Sequence, residues 1–143
     1  MSSPVMSVGR PVADHAPLGP LRTALRVDGY STALFGVVLL AGAPWLRDPL
    51  GLPVAWSVPF GVAMLGGSAA LTLIAGHPRI TRLAGAAVVG NALSCALLLV
   101  LACVDVVPLT GLGRAFMVVG AIAVAVFARF EFVGLRRSAP TDS

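Results

Sequence analysis

Charge is scarce in this chain: Asp, Glu, Lys and Arg make up 11% of its 143 residues, where a soluble domain carries about a quarter. Lysine is missing altogether, so every basic side chain is an arginine. Cysteine occurs twice, at Cys95 and Cys103, within one apolar run. On a single helix that spacing is about 12 Å of rise, too far for a disulfide, and no histidine lies near enough to complete a metal site. Both cysteines read as small hydrophobes. There is no HExxH, no CxxC, no glycine-rich phosphate loop and no nucleophile paired with a base. Nor does a carboxylate fall at the middle of an apolar run, where a proton or cation carrier is expected. These absences leave no catalytic machinery and no residue set for a cofactor or a metal. A non-enzymatic protein is the expectation.

What fills the chain is hydrocarbon. Hydrophobic residues make up 57% of the sequence and the mean hydropathy is +0.93. A bilayer core about 30 Å thick needs about 20 apolar residues of helix, and four runs qualify: Val27 to Leu46, Val54 to Gly76, Leu83 to Val104, and Ala115 to Val133. An open strand in lipid leaves its backbone groups unpaired, so helix is the state expected of each. The segments between them, RDPLGLP, HPRITR and DVVPLTGLGR, are short and carry Pro, Gly or charge. Short connections favour antiparallel neighbours, which predicts an all-α, up-down-up-down bundle of four transmembrane helices over residues 25–135. Residues 1–24 hold four prolines and no continuous apolar stretch. They are expected to be a disordered cytoplasmic tail rather than a cleavable signal, with 136–143 a second short tail.

The net charge of +4 does not point to nucleic acid, because the arginines sit at the edges of the apolar runs, where lipid headgroups lie. Arg10, Arg22, Arg26, Arg79, Arg82, Arg129, Arg136 and Arg137 fall on one side and Arg47 and Arg114 on the other. The positive-inside rule then puts both termini and the HPRITR loop in the cytoplasm, in the plasma (inner) membrane. Trp45 and Trp56 flank the first outer loop, with Phe127, Phe130 and Phe132 near the inner face. A short internal repeat accompanies this layout. Arg26-Val27-Asp28-Gly29 opens the first hairpin and Arg82-Leu83-Ala84-Gly85 the second, and Gly-Leu recurs at 51 and 111, as in a tandem duplication of two helical hairpins.

Four polar side chains within the spans need an explanation. Arg129 and Glu131 are two residues apart, about 200° round a helix, so they do not face each other. One reading puts both at headgroup level, Arg129 snorkelling and Glu131 reaching water. The other pairs Arg129 with Asp28, since Arg129 ends the small-residue stripe Ala121, Ala125 and Asp28 begins the stripe Thr32, Gly36. Asn91 lies deeper, beside the stripe Ala86, Gly90, Ser94, and reads as an interhelical hydrogen bond or as a ligand contact. Ala63 with Gly67, and Gly66 with Ala70, supply further small pairs for bundle packing or for a dimer face. His15 and His77 receive no role.

Asp28-Gly29, the Gly51-Leu52-Pro53 turn, Gly90-Asn91-Ala92-Leu93 and the closing Glu131-x-x-Gly134-Leu135-Arg136-Arg137 together resemble small four-helix integral membrane proteins of unassigned function from high-GC actinobacteria. The resemblance covers nearly all of the chain except its tails. It implies membrane and topology, and brings no catalytic residue with it. The function expected first is that of an accessory or scaffold subunit acting through helix contacts, with membrane lipids, its own copies or a larger membrane protein as partners. Alternatives are an oligomeric transporter or channel and a quinone- or lipid-binding component of DoxX-like type. The topology is checked with reporter fusions: a cytoplasm-active reporter is expected to work at either terminus and in the HPRITR loop, and a periplasm-active reporter at either terminus should stay silent.

Overall fold

The computed structural model describes residues 18–138; most of the expected tails, 1–17 and 139–143, together with Arg10 and His15, lie outside the described residues. Four helices follow one another: α1 (Gly19–Leu50), α2 (Val54–Gly76), α3 (Ile80–Cys103) and α4 (Gly111–Ser138). The described residues contain no strand. Each helix is long and apolar enough to cross a bilayer, and the chain is a multi-pass integral membrane protein of the all-α four-helix class.

Two helices outrun their apolar runs at both ends, and α3 starts at Ile80, within the expected HPRITR loop. Residues 19–24, expected to be tail, already belong to α1, because Pro20 sits in the first helical positions, where its missing N–H has no partner to lose. At its other end α1 continues through Pro44 and Pro49 to Leu50, with Arg47 in the last turn facing the negative end of the helix dipole. It stops at Gly51, whose φ of +66° is the left-handed conformation that terminates helices. Thus only Gly51-Leu52-Pro53 of the expected RDPLGLP loop is non-helical. α4 likewise takes in Arg136 and Arg137 and ends at Ser138.

Packing divides the bundle into two hairpins. α1 packs closely on α2 and α3 on α4; the hairpins join mainly through α1 and α4, and only slightly through α2 and α3. Glycine permits the α1–α2 approach: a Cβ on Gly36 would stand 3.0 Å from the Gly61 carbonyl oxygen, and one on Gly29 would stand 3.1 Å from Thr72 Oγ1. One apolar cluster, with Leu21, Leu25, Leu71, Ala75, Ile80 and Ala84, fills the end that holds the α2–α3 connection. We call this the terminal end, since an even number of antiparallel helices returns the chain to it. A second cluster, with Leu39, Leu50, Leu52, Leu101, Val107 and Met117, fills the far end. Phe35 of α1 meets Phe116 of α4 edge to face, with ring centroids 6.2 Å apart.

Hydrogen bonds to helix ends fasten neighbouring helices, between the hairpins at the far end and within the first hairpin at the terminal end. At the far end Thr110 gives its N–H to the Leu50 carbonyl (3.0 Å) and its hydroxyl to the Pro49 carbonyl (2.6 Å), while accepting the Gly113 N–H (3.0 Å). One residue thus satisfies carbonyls at the end of α1 and caps the start of α4. At the terminal end Arg22 Nη1 donates to the Ala75 carbonyl in the last turn of α2 (2.8 Å). His77 accepts the Arg79 N–H on Nδ1 (3.0 Å), a turn-forming contact. The exposed Arg114–Asp105 ion pair adds little in water. Gly51 separates conformational from merely spatial demands: a Cβ there would overlap the Pro108 carbonyl as well as strain φ. Gly51→Ala should cost at least about 2 kcal/mol of stability in detergent. Gly67→Ala, where nothing lies within 4 Å, should stay within about 0.5 kcal/mol. Equal melting temperatures for the two variants would contradict this account of the far-end turn.

Candidate functional site

The chain's one asparagine and its one glutamate meet an aspartate inside the bundle. Helical phase brings them there. Asp28 follows Leu21 and Leu25 on the buried stripe of α1, Glu131 follows Met117 and Ala121 on that of α4, and Asn91 follows Ala84 and Ala87 on α3, all at spacings compatible with one helix face. Asn91 Nδ2 donates to Asp28 Oδ2 at 2.7 Å and to Glu131 Oε2 at 3.1 Å, so one nitrogen ties three helices together. Thr32, one turn along α1, donates its hydroxyl to Asp28 Oδ1 at 3.3 Å. Asp28 is 1% exposed and Glu131 0%. The remaining carboxylate oxygen, Glu131 Oε1, is buried and has no hydrogen-bond partner.

Electrostatically the site is one-sided. Two oxygens that share a nitrogen stand no more than about 6 Å apart, within the range at which like charges strongly disfavour each other. Among the described residues, no arginine or histidine forms a salt bridge with either carboxylate. As a dianion the pair would repel by about 3 kcal/mol at an effective dielectric near 20, on top of the cost of desolvating each charge.

Several expectations change here. The Asp28–Arg129 pair does not form: Glu131 points into the bundle, so Arg129, about 200° away, is exposed on the outside, and so is Ala125 of its stripe. Glu131 does not reach water at a headgroup boundary, for it is fully buried. Of Asp28, Asn91, Arg129 and Glu131, three come together and Arg129 stands apart. The carboxylates also lie further from their helix ends than the run boundaries imply, because α1 and α4 extend past those boundaries. At 1.5 Å per residue, Asp28 is about 14 Å from the start of α1, Glu131 about 10 Å from the end of α4, and Asn91 about 17 Å along α3, near its midpoint. Asn91 makes the interhelical hydrogen bond expected of it, with two acceptors rather than one.

The small-residue stripes are divided too. Ala86, Gly90 and Ser94 on α3, and Ala63, Gly66, Gly67 and Ala70 on α2, are exposed, and nothing comes within 4 Å of a Cβ placed on Gly66, Gly67 or Gly90. The glycines that hold α1 on α2 are Gly29, Gly36 and Gly61. Cys95 is half-buried and Cys103 exposed. The periodicity that places Asn91 with Ala84 and Ala87 was available in the sequence, as was that of Asp28 with Leu21 and Leu25. No periodicity reveals which two helices a third will touch.

No family model matches the chain, and no match is found among the curated proteins or the solved structures.

The shared amide has a measurable signature. Asn91→Ala should destabilise the protein by about 1–3 kcal/mol, since it leaves buried acceptors unpaired. Combined with Glu131→Ala it should show a coupling energy of about 0.5–3 kcal/mol in a double-mutant cycle, while Arg129→Gln should change stability by less than about 0.5 kcal/mol. A coupling energy of zero would mean that Asn91 and Glu131 do not interact.

Proposed function

We propose that this membrane protein conducts or carries protons across the plasma membrane, with Asp28 and Glu131 as the proton-binding groups and Asn91 as the donor that holds them in place. The reading rests on one observation: two carboxylates, 1% and 0% exposed, share a single amide nitrogen with no arginine paired to them among the described residues. A hydrogen bond to a charged acceptor contributes about 1.5–3 kcal/mol. That is too little to offset desolvation and repulsion together, so a further positive charge is needed. One proton held between the two groups leaves a single negative charge and gives the unpartnered Glu131 Oε1 a role as donor or acceptor. Ionisable groups that face a bundle interior in lipid typically mark ion or proton pathways. In this reading the termini and the α2–α3 connection are cytoplasmic, which puts the site in the inner half of the bundle.

A second reading is favoured by a different feature. The exposed small-residue faces of α2 and α3 suit close contact with another helix, as in a scaffold subunit or an oligomer. The two readings are compatible, because a bundle this small can assemble its pathway from several copies. Native mass spectrometry of gently purified protein tests the second by reporting copies and partner subunits.

The proton reading is tested in liposomes that trap a pH-sensitive dye, with the full chain reconstituted and a potassium diffusion potential imposed. Proton entry should exceed that of protein-free vesicles. Glu131→Gln and Asp28→Asn should reduce it to the leak, and Arg129→Gln should leave it unchanged. Wild-type flux no greater than the leak, or full flux in Glu131→Gln, would reject the proposal; flux that requires sodium instead would transfer the site to that cation.

A further inference from the structure

We infer that the outer groove between α1 and α4 at the terminal end seats one anionic phospholipid of the surrounding bilayer, its phosphate on Arg137 and an acyl chain along Val133, Phe130 and Phe127. The groove encloses about 610 Å³ and is walled on the other side by Ala24 and Val27 of α1. Its floor is closed by Gly134, where a Cβ would stand 3.3 Å from Leu21.

Polarity along the groove gives the occupant its direction. Phe127, Phe130, Val133 and Arg137 follow one another at spacings of three or four, so they share a face of α4 over about 15 Å. That face is apolar from Phe127 to Val133 and cationic only in the last turn of the helix. A phospholipid has the same polarity in the same sense, with hydrocarbon toward the bilayer interior and phosphate where an apolar helix runs out into arginines. Among the described residues the groove is left open: Val27 is 47% and Phe130 63% exposed.

Charge sets the headgroup class. Arg137 is exposed and makes no ion pair among the described residues, whereas Arg136 is turned onto the Phe132 ring, 5.7 Å from its centroid. A free guanidinium fork matches phosphate geometry in two hydrogen bonds, and a headgroup without a compensating ammonium keeps the full attraction. The site is separate from Asp28 and Glu131, which face the bundle interior, and it does not depend on their role.

The test uses the full chain in nanodiscs of equal phosphatidylglycerol and phosphatidylcholine, released into the mass spectrometer with lipids attached. Wild type should retain phosphatidylglycerol about fivefold over phosphatidylcholine, the preference expected of one arginine near a membrane surface. Arg137→Gln should remove that preference, and Arg129→Gln, an exposed arginine outside the groove, should keep it. Ala24→Trp, which fills the groove, should lower retention of both lipids while circular dichroism reports unchanged helix content. Equal retention of the two lipids by wild type, or the same loss in Arg129→Gln as in Arg137→Gln, would overturn the inference by showing no site or only a general surface charge.

Discussion

Asn91 offers a single amide nitrogen to carboxylates from two other helices, and the arrangement of the bundle around its middle depends on that sharing. Lipid supplies no hydrophobic drive for one apolar helix to leave it for another, so packing and hydrogen bonds must do what burial does in water. α3 is the least covered of the four helices, with Ala84 and Ala87 on its inward face between Ile80 and Asn91. Its attachment therefore relies on close contact with α4 and on the bond from Asn91. The same bond fixes the rotation of α1 and α4 about their axes, since each must present its carboxylate to one point.

That requirement is costly, and the cost carries the functional meaning. A buried amide could have met a serine or a backbone carbonyl at little expense; here it meets two acids. A membrane protein with few charged residues has nonetheless placed its only glutamate and one of its few aspartates where neither reaches water. Structural fastening needs no such arrangement, as the far end of the same bundle shows. There Thr110 joins the hairpins with neutral hydrogen bonds to Pro49 and Leu50, and at the terminal end Arg22 closes α2 through a backbone carbonyl.

Glycine makes the complementary division. Gly29, Gly36 and Gly61 are covered because α1 and α2 touch there, while Gly66, Gly67 and Gly90 lie on open faces with no neighbour. Identical residue types thus serve an internal contact in one place and leave a smooth exterior in another. The hairpins are each closed by close packing and the seam between them by the α1–α4 contact, two shared apolar clusters and a few directed bonds, which leaves the α1–α4 groove open at one end.

The four spans, their antiparallel order and the polar residues that demanded an explanation were legible in the sequence, because hydrophobic length and the period of a helix are local properties. The 200° between Arg129 and Glu131 already required that one face in if the other faces out. Which of them did so was a matter of how α4 is rotated against α1 and α3, and that is settled by side chains from three segments far apart in the chain. Level was equally non-local: apolar run boundaries put Asp28 and Glu131 at an edge, but α1 and α4 continue past those boundaries and the hydrogen bonds from Asn91 set both carboxylates level with it. Sequence alone determined what crosses the bilayer, since that is the transfer of one segment from water to hydrocarbon. Tertiary structure decided which charges meet, because stagger and rotation exist only between helices.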